Sequence, residues 1–306
     1  MSSFTIAVDS SCDLPPEYIR EHGIEVLSMP FELDDVPHNQ GYWQEISGEA
    51  YYNALGSGSV AKTSQINPEA FITAFTEYAK QGKDVVFLIL SSGLSATYYN
   101  AEIALKEVKE SYPDCKIYPI DSVNATSGHG LLAMLAVKKR EEGFSAGETA
   151  AWLEKKKHSC LALFTVDDLM YLHRGGRLSR FSAVAGSVLK IKPVLNIAPD
   201  GTLGLKDKVR GRKAAMKLLV DQIKRSIDAG TTLDTVLIIH TNCPEDARTF
   251  AEMLEAAISI RRVIIMMMGP IIGAHVGPGT IAVTFEADMT RGEYENKFYG
   301  GTYPAS

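Results

Sequence analysis

Val85-Val86-Phe87-Leu88-Ile89-Leu90 is an unbroken apolar run that passes straight into Ser91-Ser92-Gly93-Leu94-Ser95, and a helical stretch from Tyr98 to Lys109 follows. A strand that is apolar at every residue is buried on both faces, which marks a parallel sheet covered by helices. The same succession of strand, hydroxyl-rich turn and amphipathic helix recurs on either side. Upstream, Phe4–Val8 leads through Asp9-Ser10-Ser11-Cys12-Asp13-Leu14-Pro15-Pro16 to Glu17–His22, with Gly23 as the stop. Downstream, Ile117–Ile120 leads through Asp121-Ser122-Val123-Asn124-Ala125-Thr126-Ser127-Gly128 to a helix from Leu131 to Glu142. In a parallel sheet such turns collect at the carboxyl edge, where ligands bind. Three hydroxyl-rich turns are therefore expected to meet at one crevice.

The texture changes after the basic stretch Trp152–His158, and a domain boundary is placed at residues 158–160, giving 1–158, 159–290 and a tail, 291–306. Cys160–Thr165, Lys192–Ile197, Thr235–Ile239, Val263–Met268 and Thr280–Phe285 read as strands, with Asp200-Gly201 as a hairpin turn. Leu169–Leu172, Ser182–Leu189, Arg212–Ala229 and Glu245–Ala257 read as helices. The tail carries Gly292, Gly300, Gly301 and Pro304 and reads as a peripheral loop.

Composition narrows the class. The 306 residues are 45% hydrophobic and 22% charged, enough to build cores and too apolar for a disordered chain. A net charge of −6 argues against a nucleic-acid surface. Neither apolar run approaches membrane-spanning length, and the N-terminus has no signal-peptide pattern, so a soluble cytoplasmic protein is expected. Cys12, Cys115, Cys160 and Cys243 are too scattered for staples or a zinc site and are read as reduced thiols. The histidines show no metal spacing, and neither metal nor cofactor is expected.

Ser91-Ser92-Gly93-Leu94-Ser95 combines helix-start amides with three hydroxyls. An N-cap uses one of them, so the turn also suits an anion or carboxylate. It partly matches the Gly-x-Ser-x-Gly elbow, which opens an esterase reading with Ser95 as nucleophile and His240 or His275 as base; the final glycine of the elbow is missing. Lys62-Thr63-Ser64-Gln65-Ile66-Asn67-Pro68 reads as a cap and turn before a helix, Glu69–Lys80. Gly56–Ala61 resembles a dinucleotide fingerprint, but it follows a helical stretch instead of a strand and is rejected. Gly269–Gly279 sets His275 among four glycines and two prolines, a rigid loop that another group can approach closely. Gly175-Gly176-Arg177-Leu178-Ser179 and Lys208–Lys213 are basic clusters in an acidic chain, suited to an acidic partner or a phosphate.

Taken together these segments resemble the DegV family, specifically the lipid-binding subunits of bacterial fatty acid kinase. The resemblance runs in order from Asp9–Pro15 through Thr63-Ser64-Gln65, Ser91–Ser95, Asp121-Ser122, Gly175–Ser179, Ile191–Leu195 and Gly269-Pro270 to His275–Gly279, about residues 4–288. Ala96 departs from a common glycine, and Asn67 lies where the turn varies in detail. The resemblance implies an α/β fold of two domains, a three-layer α/β/α domain with a parallel sheet and a smaller domain with a mixed sheet. It implies a fatty acid held between them, its carboxylate at Thr63, Ser95 and His275, with Ser64, Ser92, Gly93 and Gly273 in support. It also implies docking to a kinase subunit through Arg210, with the neighbouring Arg212, so that this chain is a non-catalytic carrier whose partner supplies ATP and magnesium. Val26–Met29, Val184–Leu189 and Met266–Met268 are candidate walls for the acyl chain.

Overall fold

The computed structural model describes residues 4–38, 45–178 and 191–301. The strands are β1 (Thr5–Asp9), β2 (Glu25–Leu27), β3 (Phe31–Leu33), β4 (Val36–His38), β5 (Ala61–Thr63), β6 (Val85–Ile89) and β7 (Ile117–Asp121). They continue as β8 (Cys160–Thr165), β9 (Ile191–Ile197), β10 (Leu203–Arg210), β11 (Thr232–His240), β12 (Ser259–Met267) and β13 (Ile281–Glu286).

β2-β1-β6-β7 form the expected all-parallel sheet. Its alternating side chains explain the continuous apolar runs. Ala7, Val85, Phe87 and Ile89 face the helices Pro68–Lys80 and Thr97–Ser111, where Phe71 and Phe75 meet Phe87 edge to face. Ile6, Val8, Val86 and Leu88 face the helices Thr126–Glu141 and Ala146–Lys156. Both faces of β6 are dry, so each of its positions is apolar. Asn67 caps the first of these helices, its Oδ1 accepting the Ala70 amide at 2.9 Å, as the turn before it suggested.

The second sheet has the order β10-β9-β8-β13-β11-β12 and is mixed: only β11 and β12 run parallel. One face packs on the helices Arg212–Ser226 and Pro244–Glu255 through Leu163, Ile238 and Val283. The other, with Phe164, Leu195, Ile239 and Ala282, turns toward the parallel sheet. A third, three-stranded antiparallel sheet, β4-β3-β5, was not foreseen. Its strands are three residues each and mix polar with apolar positions, so no period develops.

The three hydroxyl-rich turns do meet. Asp9 Oδ2 accepts the Leu90 amide at 2.6 Å, and the Asp121 carboxylate accepts the Ser92 amide and hydroxyl at 3.1 and 2.5 Å. The hairpin between β9 and β10 then docks on this edge. Ser91 Oγ donates to Gly201 O at 2.9 Å, and a Cβ on Gly93 would lie 2.7 Å from the Gly201 carbonyl carbon. Gly201 itself has φ +76°, so both the turn and the contact require glycine.

Two sequence expectations are corrected. The segment after Gly269 is not a loop: Pro270–Val276 is a helix with proline at its start and His275 in its last turn. Pro is at home in the first turn, which glycine counting overlooks. The tail is not a peripheral loop either. Arg291–Tyr299 is a helix opened by a Thr290/Glu293 capping box, and Arg291, Tyr294 and Glu295 are buried. Ser182–Leu189 lies outside the described residues. Among the described residues no helix is long and apolar enough to cross a membrane.

Candidate functional site

Between the carboxyl edge of the parallel sheet and the inner face of the mixed sheet lies a cavity of about 540 Å³, within the range of small-molecule sites. Five structural units supply its walls. The strand β5 delivers Thr63 at its end, in register with Phe31, and the chain continues into Ser64 and Gln65 at the rim. The turn after β6 contributes Ser92, Leu94 and Ser95, and the one after β7 contributes Ala125 and Thr126. The mixed sheet gives Ala162, Phe164, Ile197 and Ala282; the helix Pro270–Val276 gives Ile271, Ile272 and His275.

Thr63 and His275, 212 residues apart, meet with Oγ1 and Nε2 at 2.8 Å. Two features seat the imidazole. Gly175 leaves room for it, since a Cβ there would stand 2.3 Å from Nδ1. The helix that carries it is anchored by two tyrosines from Gly48–Gly56: Tyr52 OH donates to Met268 O at 2.7 Å and Tyr51 OH to Pro270 O at 3.0 Å. Gly273 fits under Tyr52, where a Cβ would meet the phenol oxygen at 2.2 Å. Burial, reinforced by the Arg177 guanidinium, pushes His275 down to about 4, so the ring is neutral near pH 7.

Ser95 Oγ pairs with Thr97 Oγ1 at 2.8 Å and accepts the Thr97 amide at 3.3 Å, which fixes it at the start of the helix Thr97–Ser111. Neither histidine of the esterase reading bonds to it: His275 is engaged with Thr63, and His240 Nδ1 accepts the Cys243 amide at 3.3 Å. A nucleophile needs its base within hydrogen-bond reach, and no Ser95–His pair forms among the described residues.

The cavity gathers Thr63, Ser64, Ser92, Ser95 and His275, while Gly93 and Gly273 stand behind the wall as close-approach points. Of the candidate wall segments, Met29 and Met268 line the cavity and Val184–Leu189 lies outside the described residues. Arg210 and Arg212 are not part of it. Arg210 ends β10 with an exposed side chain. Arg212 is half-buried and tied to the protein's own groups, its Nε donating to Asp246 at 2.9 Å and Nη1 to Gly279 O at 2.6 Å.

Sequence reading assigned no site role to Arg177. It lines the cavity half-buried and donates through Nε to Leu94 O at 3.2 Å and through Nη1 to Gly175 O. The basic cluster around it was visible in the sequence, but nothing local said which arginine turns inward. Three hydroxyls elsewhere in the lining are already committed. Thr126 donates to Asp13 Oδ2 at 2.7 Å, Thr280 to Val276 O at 3.2 Å, and Thr284 pairs with Ser127 at 2.8 Å. With their polar atoms occupied, they add little polarity to the cavity. The free polar capacity is gathered around Thr63, Ser95, His275 and Arg177.

The family model described as uncharacterised protein, DegV family, matches residues 3–288. A DegV domain-containing protein of Clostridium perfringens is 38% identical over 288 residues, covering 94% of this chain and 99% of that one. A DegV lipid-binding protein of Thermotoga maritima superposes with a TM-score of 0.81 at 29% identity, over 95% of this chain and 100% of that one. A fatty-acid-binding DegV family protein of Thermus thermophilus gives 0.83 at 25% identity, over 93% and 99%. With the parallel sheet, the mixed sheet and the intervening cavity all in place, the chain belongs to the DegV family.

Proposed function

We propose that this chain binds one long-chain fatty acid in the cavity, its carboxylate at Thr63, Ser95 and His275 with Arg177 beside them. The observation that carries the reading is a cavity of about 540 Å³ whose uncommitted polar groups are gathered around Thr63 and His275, while the rest of its wall is mostly apolar or carries hydroxyls already bonded elsewhere. The lipid and fatty-acid binding of the structural neighbours supports the same ligand class. Burying roughly 15 methylenes at ~0.8 kcal/mol each contributes ~12 kcal/mol of transfer free energy. Association and chain ordering offset part of this, and enough remains for a ligand to survive purification.

The neutral imidazole has one N–H. With Nε2–H donating to Thr63 Oγ1, the threonine hydroxyl is free to donate onward to a carboxylate oxygen. The carrier role follows from the family resemblance: the chain presents the carboxylate to a kinase subunit that forms the acyl phosphate with its own ATP and magnesium. Arg210 is the residue assigned to that contact. Arg212 is already spent on Asp246 and Gly279, so in this proposal it shapes the docking surface without touching the partner.

The test is organic extraction of protein purified from cells, followed by mass spectrometry. About one fatty acid per chain is the expected yield for a single cavity of this size. An empty extract, together with no thermal stabilisation by added oleic acid, would overturn the reading. Turnover of a simple ester would favour the hydrolase instead.

A further inference from the structure

The helix Arg291–Tyr299 begins beyond residue 288, where the family match ends. Arg291 is only 1% exposed and has no carboxylate partner among the described residues. Its guanidinium donates to three backbone carbonyls: Val123 O, Cys160 O at 2.8 Å and Lys157 O at 3.3 Å. Burial pushes its pKa down to about 10, so it remains charged near neutral pH. A buried guanidinium whose hydrogen bonds go to carbonyls alone, with the Asp121 carboxylate favouring its charge only through space, is costly, and its Nε is also unpaired among the described residues. Simple packing would be served better by an apolar residue.

The contact at Val123 gives the arginine a purpose. Val123 has φ +42°, a left-handed conformation that a β-branched residue adopts only when its surroundings impose it. Its carbonyl is held by Arg291 and its amide by Asp121 Oδ1 at 2.9 Å. The same Asp121 carboxylate fixes the Ser92 amide and hydroxyl at 3.1 and 2.5 Å, and Ser92 lines the cavity. Three residues after Val123, Thr126 is also left-handed, at φ +48°, and also lines the cavity. Resting on the fatty-acid reading of the cavity, we infer that Arg291 is a positioning residue for the ligand site: it holds the strained Val123 turn, so that Asp121 fixes Ser92 in the cavity wall. The C-terminal helix thereby becomes part of the machinery that shapes the pocket.

The experiment has a ligand-free arm and a binding arm. In delipidated protein, Arg291→Met should raise amide exchange at Val123 and Ser92 by about tenfold more than at Phe87 in the strand centre, because local opening is read residue by residue. Oleic acid affinity should fall by about tenfold, and Arg291→Met combined with Ser92→Ala should be within about twofold of the weaker single variant, as expected for residues acting in series. Arg291→Lys should restore part of the protection. Should Arg291→Met not fold, Asp121→Asn breaks the same chain of contacts with Arg291 intact and should reproduce both effects. Unchanged exchange at Val123 and Ser92, or additive losses of affinity, would overturn the inference. Failure of the wild-type chain to bind oleic acid would refute the fatty-acid reading instead, while the exchange arm still reports on Arg291.

Discussion

Replacing Thr63 with Val removes one hydroxyl and nearly preserves shape, so its effect isolates a single hydrogen-bonding group. A hydrogen bond to a charged acceptor contributes ~1.5–3 kcal/mol. At 1.4 kcal/mol per decade, Thr63→Val should weaken fatty-acid binding by roughly 10- to 100-fold. The structure adds a second expectation. His275 Nε2 loses its partner at 2.8 Å in both the free and the bound protein. That loss lowers stability by about 1 kcal/mol and largely cancels in the affinity. In the proposed relay the imidazole acts through the threonine hydroxyl, so His275→Ala added to Thr63→Val should cost little further affinity. Ser95→Ala should weaken binding independently, since its Oγ answers to Thr97 and not to Thr63. Calorimetric titration of delipidated protein with oleic acid measures these three variants and His275→Ala alone. Wild-type affinity in both Thr63→Val and Ser95→Ala would show that the carboxylate lies elsewhere, and additive losses at Thr63 and His275 would refute the relay.

Asp13 gives a pH signature: burial raises its pKa from 3.8 to about 7, so the folded protein keeps a proton that the unfolded chain releases. Its contribution to stability is therefore fully present below pH 3.8 and declines until the pH passes 7, by up to ~4 kcal/mol in total. Asp13→Asn should remove that slope in urea unfolding measured from pH 4.5 to 7.5, and a parallel profile would show that the carboxyl titrates normally. Arg210→Glu should leave oleic acid affinity intact yet lower partner-dependent acyl-phosphate formation, because a like-charge contact costs several kcal/mol at an interface. Undiminished formation would sink the docking role. Arg212→Glu, which breaks the contacts to Asp246 and Gly279 O, should instead lower the melting temperature.

What was legible in the sequence was what repeats locally. Val85–Leu90 could be recognised as a doubly buried strand because each residue packs on one helical layer or the other, and the hydroxyl turns followed from strand direction. The pairing of Thr63 with His275 was not readable from spacing; only the family resemblance put them together. It depends on a three-residue strand and on tyrosines 51 and 52 reaching Met268 and Pro270, contacts more than 200 residues apart in sequence. Arg177 and Arg291 escaped for a related reason. An arginine buried against backbone carbonyls leaves no charged partner to find in the sequence. The tail did carry a signal in Thr290-Arg291-Gly292-Glu293, whose capping-box spacing outweighed the glycines around it.

The electrostatics of the cavity fit the proposal of a carboxylate ligand that later reacts. His275 is neutral, and the hydroxyls of Thr63 and Ser95 offer dipoles without charge. Arg177 is the cation lining the cavity among the described residues, and it already spends Nε on Leu94 O and Nη1 on Gly175 O. A bidentate arginine clamp would engage both carboxylate oxygens and draw off their electron density. Under the proposed function the anion would be held mainly by single donors, leaving one oxygen available to attack a phosphoryl group. In that proposal affinity has to come from the acyl chain, for which Phe164, Ile197 and Met268 supply apolar walls. For the proposed carrier, retention of the lipid and reactivity of its head group would place different demands on different ends of one cavity, and the same residues need not satisfy both.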